Sequence, residues 1–127
     1  MAPRDAGTPA TLALTRAGIP FTTHAYDHDP RSSSYGLEAA AALGLDPAAV
    51  FKTLVAEVDG SPVVAIVPVS GTLDLKALAA ACGGRRADLA EAATAQRLTG
   101  YVVGGISPIG QRRPLPTLLD ESAILLA

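Results

Sequence analysis

A chain of 127 residues, 49% of them hydrophobic, is expected to form a single domain with its own core. Its net charge of −2 argues against a protein that holds nucleic acid tightly by itself, although Arg85 and Arg86, and Arg112 and Arg113, could form local basic patches. The single cysteine, Cys82, excludes an internal disulfide framework; neither a signal peptide nor an apolar run of about 18 residues is visible, so a cytoplasmic protein is expected.

The first half of the chain predicts two helices separated by a strand. Thr8 suits the N-cap and Pro9 the first turn of a helix that Gly18 would end. In chain order we expect a helix over 8–18, a strand over 19–26, a polar loop over 27–34, a helix over 35–43 and a short helical turn at 46–47.

The second half contains a hairpin signal. Asp59 and Gly60 separate two apolar runs, and this dipeptide favours the tight turn between antiparallel strands. The predicted elements are strands over 50–58 and 62–69, a helix over 73–82, a short strand at 85–87, a helix over 90–98, strands at 101–103 and 115–119, and a final helical turn over 123–127. Because these elements show no regular βαβ rhythm, they favour an α+β fold over a doubly wound sheet.

Lys52 is the first candidate for chemistry, because it lies inside a predicted apolar strand. Side chains alternate between the faces of a strand, so Lys52 shares its face with Val50, Leu54, Ala56 and Val58. Burying an unpaired ammonium group is costly. Lys52 therefore either has a partner or a polar cavity, or extends along the apolar surface to water.

Two other groups are weaker candidates. His24, Asp27, His28 and Asp29 are metal-ligand types, but in a continuing strand the two histidines would lie about 13 Å apart, too far to share a zinc ion. Only a turn at Asp27 would bring them together, and we expect no metal or other cofactor. Cys82 lies near a predicted helix C-terminus, which disfavours a thiolate, and is expected to be a small core residue.

The segment 99–113 is rich in glycine. Gly104 and Gly105 follow an apolar run, and their backbone N–H groups could hold a carboxylate, a phosphate or a developing oxyanion. Ser107 is followed directly by Pro108, which does not fit a nucleophile elbow, so a turn-forming role stays open. No nucleophile, base and acid can be assembled from neighbouring motifs.

Together, several segments resemble the YbaK/EbsC family of aminoacyl-tRNA deacylases, which is related to the editing domain inserted in bacterial prolyl-tRNA synthetases. They occur in family order over nearly the whole chain. They are Thr8-Pro9-Ala10, Ile19-Pro20-Phe21, the run 24–30, Gly36 with Glu38-Ala39-Ala40, Phe51-Lys52-Thr53-Leu54, and the run 99–111. The runs 26–30 and 104–110 point to the Cys-tRNA(Pro) deacylase branch.

The resemblance implies one domain over residues 1–127, with a mixed, barrel-like β-sheet surrounded by helices. It implies hydrolytic removal of cysteine from mischarged tRNA(Pro), in trans and beside prolyl-tRNA synthetase. A separate editing site is needed because one small apolar pocket distinguishes the binding free energies of similar side chains by only about 1–3 kcal/mol. It also implies that the substrate's own thiol, rather than a protein nucleophile, attacks the ester carbonyl.

The same resemblance assigns roles to individual residues. Lys52 would position the substrate and stabilise charge at the scissile ester, and the N–H of Gly105 would help to hold the oxyanion. Contacts to the substrate are expected from Tyr26, Phe51, Thr53, Gly104, Ile106, Ser107 and Gly110.

Family members continue past the position that matches Ala127, with a further strand and a Ser-Gly-Gly-Lys-Arg-Gly-like loop that lines the pocket. We therefore expect a domain truncated at its C-terminus relative to the family, with an unpaired strand edge and an open pocket. The alternative function is a non-catalytic module of the same fold that binds an aminoacyl or nucleotide group, or a regulator associated with a synthetase. Cysteine is the favoured substrate side chain, and alanine is the alternative.

Overall fold

The computed structural model describes residues 8–31 and 34–126 and confirms the α+β fold. Within these ranges the helices are α1 (Pro9–Arg16), α2 (Tyr35–Leu43), α3 (Leu75–Ala81) and α4 (Ala92–Thr99). The strands are β1 (Phe51–Val58), β2 (Ser61–Pro68), β3 (Ala87–Leu89) and β4 (Thr117–Leu119), with short 3-10 turns at Pro47–Ala49 and Glu121–Leu125. The four strands form one mixed sheet in the order β3-β1-β2-β4. None of the described helices has the length and hydropathy needed to cross a membrane.

The predicted hairpin is the centre of the sheet. β1 and β2 pair antiparallel along their whole length, and the turn residues Asp59 and Gly60 have φ angles of +50° and +84°. Two successive positive φ angles match the twist of the flanking strands. The Asp59 carboxylate also accepts the N–H groups of Arg85 and Arg86, each at 3.0 Å. The turn thereby holds the segment that leads into β3.

Two prolines limit how β2 pairs. Val69 N donates to Val50 O at 2.8 Å, so the even-numbered residues of β1 direct their backbone groups to β2. Pro62 and Pro68 lie opposite the odd-numbered residues, where a missing N–H costs the hairpin no hydrogen bond. On its other side β2 pairs in parallel with β4 only over residues 64–66, between the two prolines.

The main hydrophobic cluster lies between the hairpin and α3. It consists of small aliphatic side chains, namely Ala56, Val58, Val63, Ala65, Leu78, Ala79 and Ala87. α3 begins after Asp74, whose carboxylate accepts the N–H of Ala77 at 3.0 Å. This N-cap starts the helix two residues later than predicted.

The predicted strand over 19–26 is wrong. The segment contains no regular structure and pairs with no strand of the described sheet. Ile19 and Phe21 are 52% and 39% exposed. The preference of such residues for strands comes largely from packing against neighbouring strands, and no described strand lies beside this segment.

The predicted strand at 101–103 is also wrong, because its backbone groups are used inside a loop. Val103 N donates to the Gln96 side chain at 3.1 Å, and Val102 O accepts the N–H of Gly105 at 3.0 Å.

The expectation that Cys82 is a small core residue is wrong as well. α3 ends at Ala81, so Cys82 is the C-cap residue and is exposed.

Candidate active site

An open cavity of about 590 Å³ lies along β1, between α2 and the glycine-rich segment. Its volume is within the range of small-molecule sites in proteins. Most of the predicted site residues line it, namely Tyr26, Phe51, Lys52, Thr53, Gly104 and Ile106. Three predicted site residues, Gly105, Ser107 and Gly110, are not among its lining residues.

Lys52 brings a positive charge to a largely apolar wall. The residue is half-buried, and its cross-strand neighbour Val67 is buried. The apolar core residues Ala56 and Ala65 lie on the same face of the sheet, as alternation and register require. Lys52 forms no ion pair or side-chain hydrogen bond with any residue in the described part of the chain. Lys52 is therefore a lining residue of the cavity whose side chain has no partner among the described residues.

The backbone edge of β1 is open beside Lys52. β3 pairs with β1 only over 56–58, and the next contact along this edge is the bond from Ala90 N to Val55 O at 3.0 Å. The odd-numbered residues of β1 direct their backbone groups to this edge. The backbone N–H and C=O groups of Phe51 and Thr53 therefore lie beside the cavity and are not hydrogen-bonded to any described strand.

Part of the cavity lining comes from a closed loop over residues 100–111, through Val103, Gly104 and Ile106. Its two ends meet where Arg112 N donates to Thr99 O at 2.9 Å. Inside the loop, Tyr101 Oη donates to Ile109 O at 2.8 Å, and the Gln111 side chain donates to Ser107 O at 2.9 Å. These bonds hold the loop in one shape, with its tip at the cavity.

Gly104 forms the tip that faces the cavity. Its φ of +94° favours glycine, and a Cβ atom there would lie only 2.8 Å from Cε2 of Tyr35. The N–H of Gly105 donates to Val102 O, whereas the N–H groups of Gly104 and Ile106 donate to no described residue. The geometry thus favours Gly104 and Ile106 over Gly105 as donors to a bound ligand.

Ser107 and Gly110 have internal roles in the loop. Ser107 Oγ accepts the N–H of Ile109 at 3.1 Å, which is a turn-forming bond. Gly110 has a φ of +71°, and a Cβ atom there would lie 2.6 Å from Pro9 O. Gly110 therefore lets the loop pack against the start of α1, outside the cavity.

Tyr26 reaches the cavity from a segment without regular structure, and α2 holds that segment in place. Glu38, in the first turn of α2, accepts His28 Nδ1 at 2.5 Å and the N–H of Asp29 at 2.7 Å. The His28 hydrogen bond, followed by that of Asp29, lowers the pKa of Glu38 below its usual value. The His28 ring stacks on Tyr35, with ring centroids 4.8 Å apart.

Sequence reasoning missed Tyr35 and the function of Glu38. Tyr35 lines the cavity and contacts the tip of the loop, yet locally it is only the first residue of a predicted helix. The one usable signal was Gly36. A Cβ atom there would lie 2.3 Å from Cγ1 of Val69, so glycine at this position lets α2 pack closely against the end of the hairpin.

The two histidines of the candidate metal group have different partners. His24 contacts Thr22 Oγ1 at 3.1 Å, and His28 is bound to Glu38. Within residues 8–31 and 34–126, no group of three or more histidine, cysteine, aspartate and glutamate side chains is placed to hold a metal ion.

The chain is thus a small α+β domain with an open cavity, lined by one unpaired lysine and by part of a glycine-rich loop. Residues 31–125 match the model of the aminoacyl-tRNA editing domain family. The match covers more than half of the chain, so the chain belongs to this family. The resemblance noted in the sequence is thereby confirmed.

Individual relatives agree with this assignment. EbsC of Enterococcus faecalis (strain ATCC 700802 / V583), a proposed Cys-tRNA(Pro)/Cys-tRNA(Cys) deacylase, is 41% identical over 85 residues, which are 66% of this chain and 52% of EbsC. The match therefore spans about half the length of that relative.

Two solved structures share the fold. A crystal structure of a proposed trans-editing enzyme for prolyl-tRNA synthetase matches with a TM-score of 0.74 and 29% identity, over 95% of this chain and 74% of the other. The crystal structure of hypothetical protein APE2540 matches with a TM-score of 0.71 at 24% identity, over 88% of this chain and 71% of the other.

Proposed function

We propose that this domain is a trans-acting deacylase that hydrolyses the ester of Cys-tRNA(Pro). The observation that carries the proposal is that Lys52, an unpaired half-buried cation, lines the same ligand-sized cavity as the glycine loop. Membership of the aminoacyl-tRNA editing family and the name of the EbsC relative support the substrate class. A cytoplasmic location and action beside prolyl-tRNA synthetase are parts of the same proposal.

Lys52 acts on the ester carbonyl. Its ammonium group donates a hydrogen bond to the carbonyl oxygen, which becomes negative as the carbonyl carbon is attacked. The N–H groups of Gly104 and Ile106, in the loop that lines the cavity, provide further hydrogen-bond donors. Donors held in place before the reaction stabilise such a charge without reorganising, and this effect is commonly worth a few kcal/mol per donor.

The nucleophile is the substrate's own thiol. Its sulfur bonds to the carbonyl carbon, the bond from that carbon to the ribose oxygen breaks, and the thiol proton passes to the ribose oxygen. The tRNA leaves with a free hydroxyl group and cysteine leaves as a thiolactone, which water then opens. The cavity therefore has to orient the ester and the thiol rather than supply a reacting side chain, and such orientation can contribute several kcal/mol.

The free edge of β1 suits the rest of the aminoacyl group. An aminoacyl ester carries an α-ammonium group, and the described residues lining the cavity include no aspartate or glutamate. The carbonyl groups of Phe51 and Thr53 can accept its hydrogen bonds. Tyr26, which also lines the cavity, has a hydroxyl group that can form a further polar contact.

The test is deacylation of Cys-tRNA(Pro), with Ala-tRNA(Pro), Ser-tRNA(Pro) and Pro-tRNA(Pro) for comparison. We expect selective loss of cysteine, and little loss of serine because a hydroxyl is a weaker nucleophile than a thiol. Lys52→Ala should abolish turnover while the protein stays folded. Lys76→Ala, which removes the exposed lysine of α3, is the matched control.

Three results would each contradict a part of the proposal. Wild-type rates in folded Lys52→Ala would remove Lys52 from the chemistry. Binding of the aminoacyl-tRNA without hydrolysis by the folded protein would instead identify a non-catalytic binding module. Equal cleavage of Ser-tRNA(Pro) and Cys-tRNA(Pro) would contradict the attack by the substrate's thiol but not the deacylase activity itself.

A further inference from the structure

Three arginines lie at the base of the loop whose tip faces the cavity. The loop 100–111 leaves the end of α4 and returns to it at the bond from Arg112 N to Thr99 O, 2.9 Å long. Arg97 lies in the last turn of α4, and Arg113 follows Arg112 in the returning chain. The tip and the base are thus two ends of one hydrogen-bonded unit.

Two of these arginines flank Gly100, the residue that ends α4. Arg97 lies three residues before Gly100 in the chain. The side chain of Arg112 passes over Gly100, where a Cβ atom would lie 3.6 Å from Arg112 Nε and 3.9 Å from Nη2. Arg97, Arg112 and Arg113 are all exposed, and these three residues at the base of the loop are called the arginine patch below.

No acidic side chain in the described ranges neutralises this patch. The two arginine ion pairs found there are Arg31 with Asp29 and Arg86 with Asp88. Arg97, Arg112 and Arg113 take part in no ion pair with a described residue. Exposed cations that have no counter-charge within the protein can bind an anionic partner.

The cavity itself leaves the phosphates of a nucleic-acid substrate unmatched. Lys52 is the one cationic side chain among the described residues that line it, and the proposed function uses Lys52 at the ester. A tRNA whose 3′-terminal ester enters the cavity keeps the backbone phosphates of its preceding nucleotides outside the cavity. The arginine patch is at the base of the loop whose tip lines the cavity.

We propose that Arg97, Arg112 and Arg113 bind the phosphates of the single-stranded 3′ end of the tRNA and thereby place its ester beside Lys52. This inference rests on the proposed function for the identity of the RNA. The arginines act in binding and not in the chemical step, which makes the two roles separable by experiment.

The first experiment compares two substrates of the same ester chemistry. In Arg112→Ala/Arg113→Ala and in Arg97→Ala, we expect kcat/KM for Cys-tRNA(Pro) to fall at least about tenfold, mainly through KM. Hydrolysis of 3′-O-cysteinyl-adenosine, which has no phosphate, should stay within twofold of wild type. The salt dependence of log KM should weaken by about 0.7 per lost phosphate contact.

Arg85→Ala is the matched control, because Arg85 is exposed near the hairpin turn and only its backbone N–H is used there. An equal loss in Arg85→Ala, or equal losses on both substrates, would overturn the proposal. A fall in the thermal midpoint that accounts for the lost activity would also overturn it, since the arginines would then only cap α4.

A binding measurement keeps the inference independent of catalysis. Fluorescence anisotropy with an RNA microhelix that ends in CCA and carries no amino acid, at low salt, should show weaker binding in the arginine variants than in Arg85→Ala. If the wild-type protein binds this RNA through the arginines but hydrolyses neither ester, the deacylase proposal fails and the phosphate surface stands. Unchanged RNA binding in all variants overturns the surface.

Discussion

His28 and Glu38 form a short hydrogen bond, 2.5 Å from Nδ1 to Oε1, that joins an irregular segment to the first turn of α2. The other carboxylate oxygen of Glu38 accepts the N–H of Asp29 at 2.7 Å. Tyr26 lies two residues before His28, and Tyr35 stacks on the His28 ring. One carboxylate thus helps to place two aromatic residues of the cavity.

Glu38 should make the stability of the fold depend on acid pH. The hydrogen bond from His28, and then that from Asp29, lowers the pKa of Glu38 below its ordinary value. A depressed pKa contributes stability that is present above the unfolded-state pKa and is lost as the pH falls through the folded-state pKa. We expect the urea midpoint to fall more in wild type than in Glu38→Gln between about pH 6 and pH 3. Equal slopes in the two proteins would contradict this.

The same carboxylate should affect activity through position. Glu38→Ala removes both acceptors and should lower deacylation of Cys-tRNA(Pro) by about tenfold or more, because Tyr26 loses its fixed place. Glu38→Gln keeps an acceptor oxygen and should retain more activity at neutral pH. Steady-state kinetics at pH 7 separates the two variants. Identical losses would indicate that the charge of Glu38, rather than its hydrogen bonds, matters.

Gly104→Ala should displace the tip of the loop. The new Cβ atom would lie 2.8 Å from Cε2 of Tyr35, at a φ of +94° that side chains rarely adopt. A displacement of about 1 Å can cost on the order of 100-fold in rate. In a Tyr35→Ala background the steric part disappears, so Gly104→Ala should cost less there than in wild type. Additive effects of the two substitutions on kcat/KM would contradict a contact between them.

Gly110→Ala and Gly18→Ala form a matched pair for stability. Their φ angles are +71° and +69°, but a Cβ atom at Gly110 would lie 2.6 Å from Pro9 O, whereas nothing lies within 4 Å at Gly18. Both should lose about 1 kcal/mol from the positive φ. Gly110→Ala should lose roughly 1–3 kcal/mol more, because backbone must move. Chemical denaturation measures both, and equal losses would show that α1 moves away freely.

Patterns that act over a few residues predicted the local structure well. Thr8 caps α1 through its bond to Thr11 N at 3.1 Å, and Gly44 ends α2 with a φ of +67°. The hairpin turn at Asp59 and Gly60 is correct in position. Each of these features depends on backbone angles and hydrogen bonds within about four residues, which neighbouring side chains largely decide.

The wrong strands at 19–26 and 101–103 have a common cause. Both segments carry strand-forming side chains, but a strand also needs a partner backbone, and that partner is set by the rest of the fold. At 101–103 the Gln96 side chain and the turn at Gly105 use the backbone groups instead.

The α+β class, the hairpin, the family and the charge of Lys52 on an apolar face could all be read from the residues alone. Contacts in the folded chain were needed to show that Gly104 rather than Gly105 faces the cavity, that Glu38 holds the segment of Tyr26, and that Arg112 packs against Gly100. The physical reason is range. Alternation and turn chemistry act along a few residues, whereas free N–H groups and neighbouring charges depend on contacts between segments distant in the chain.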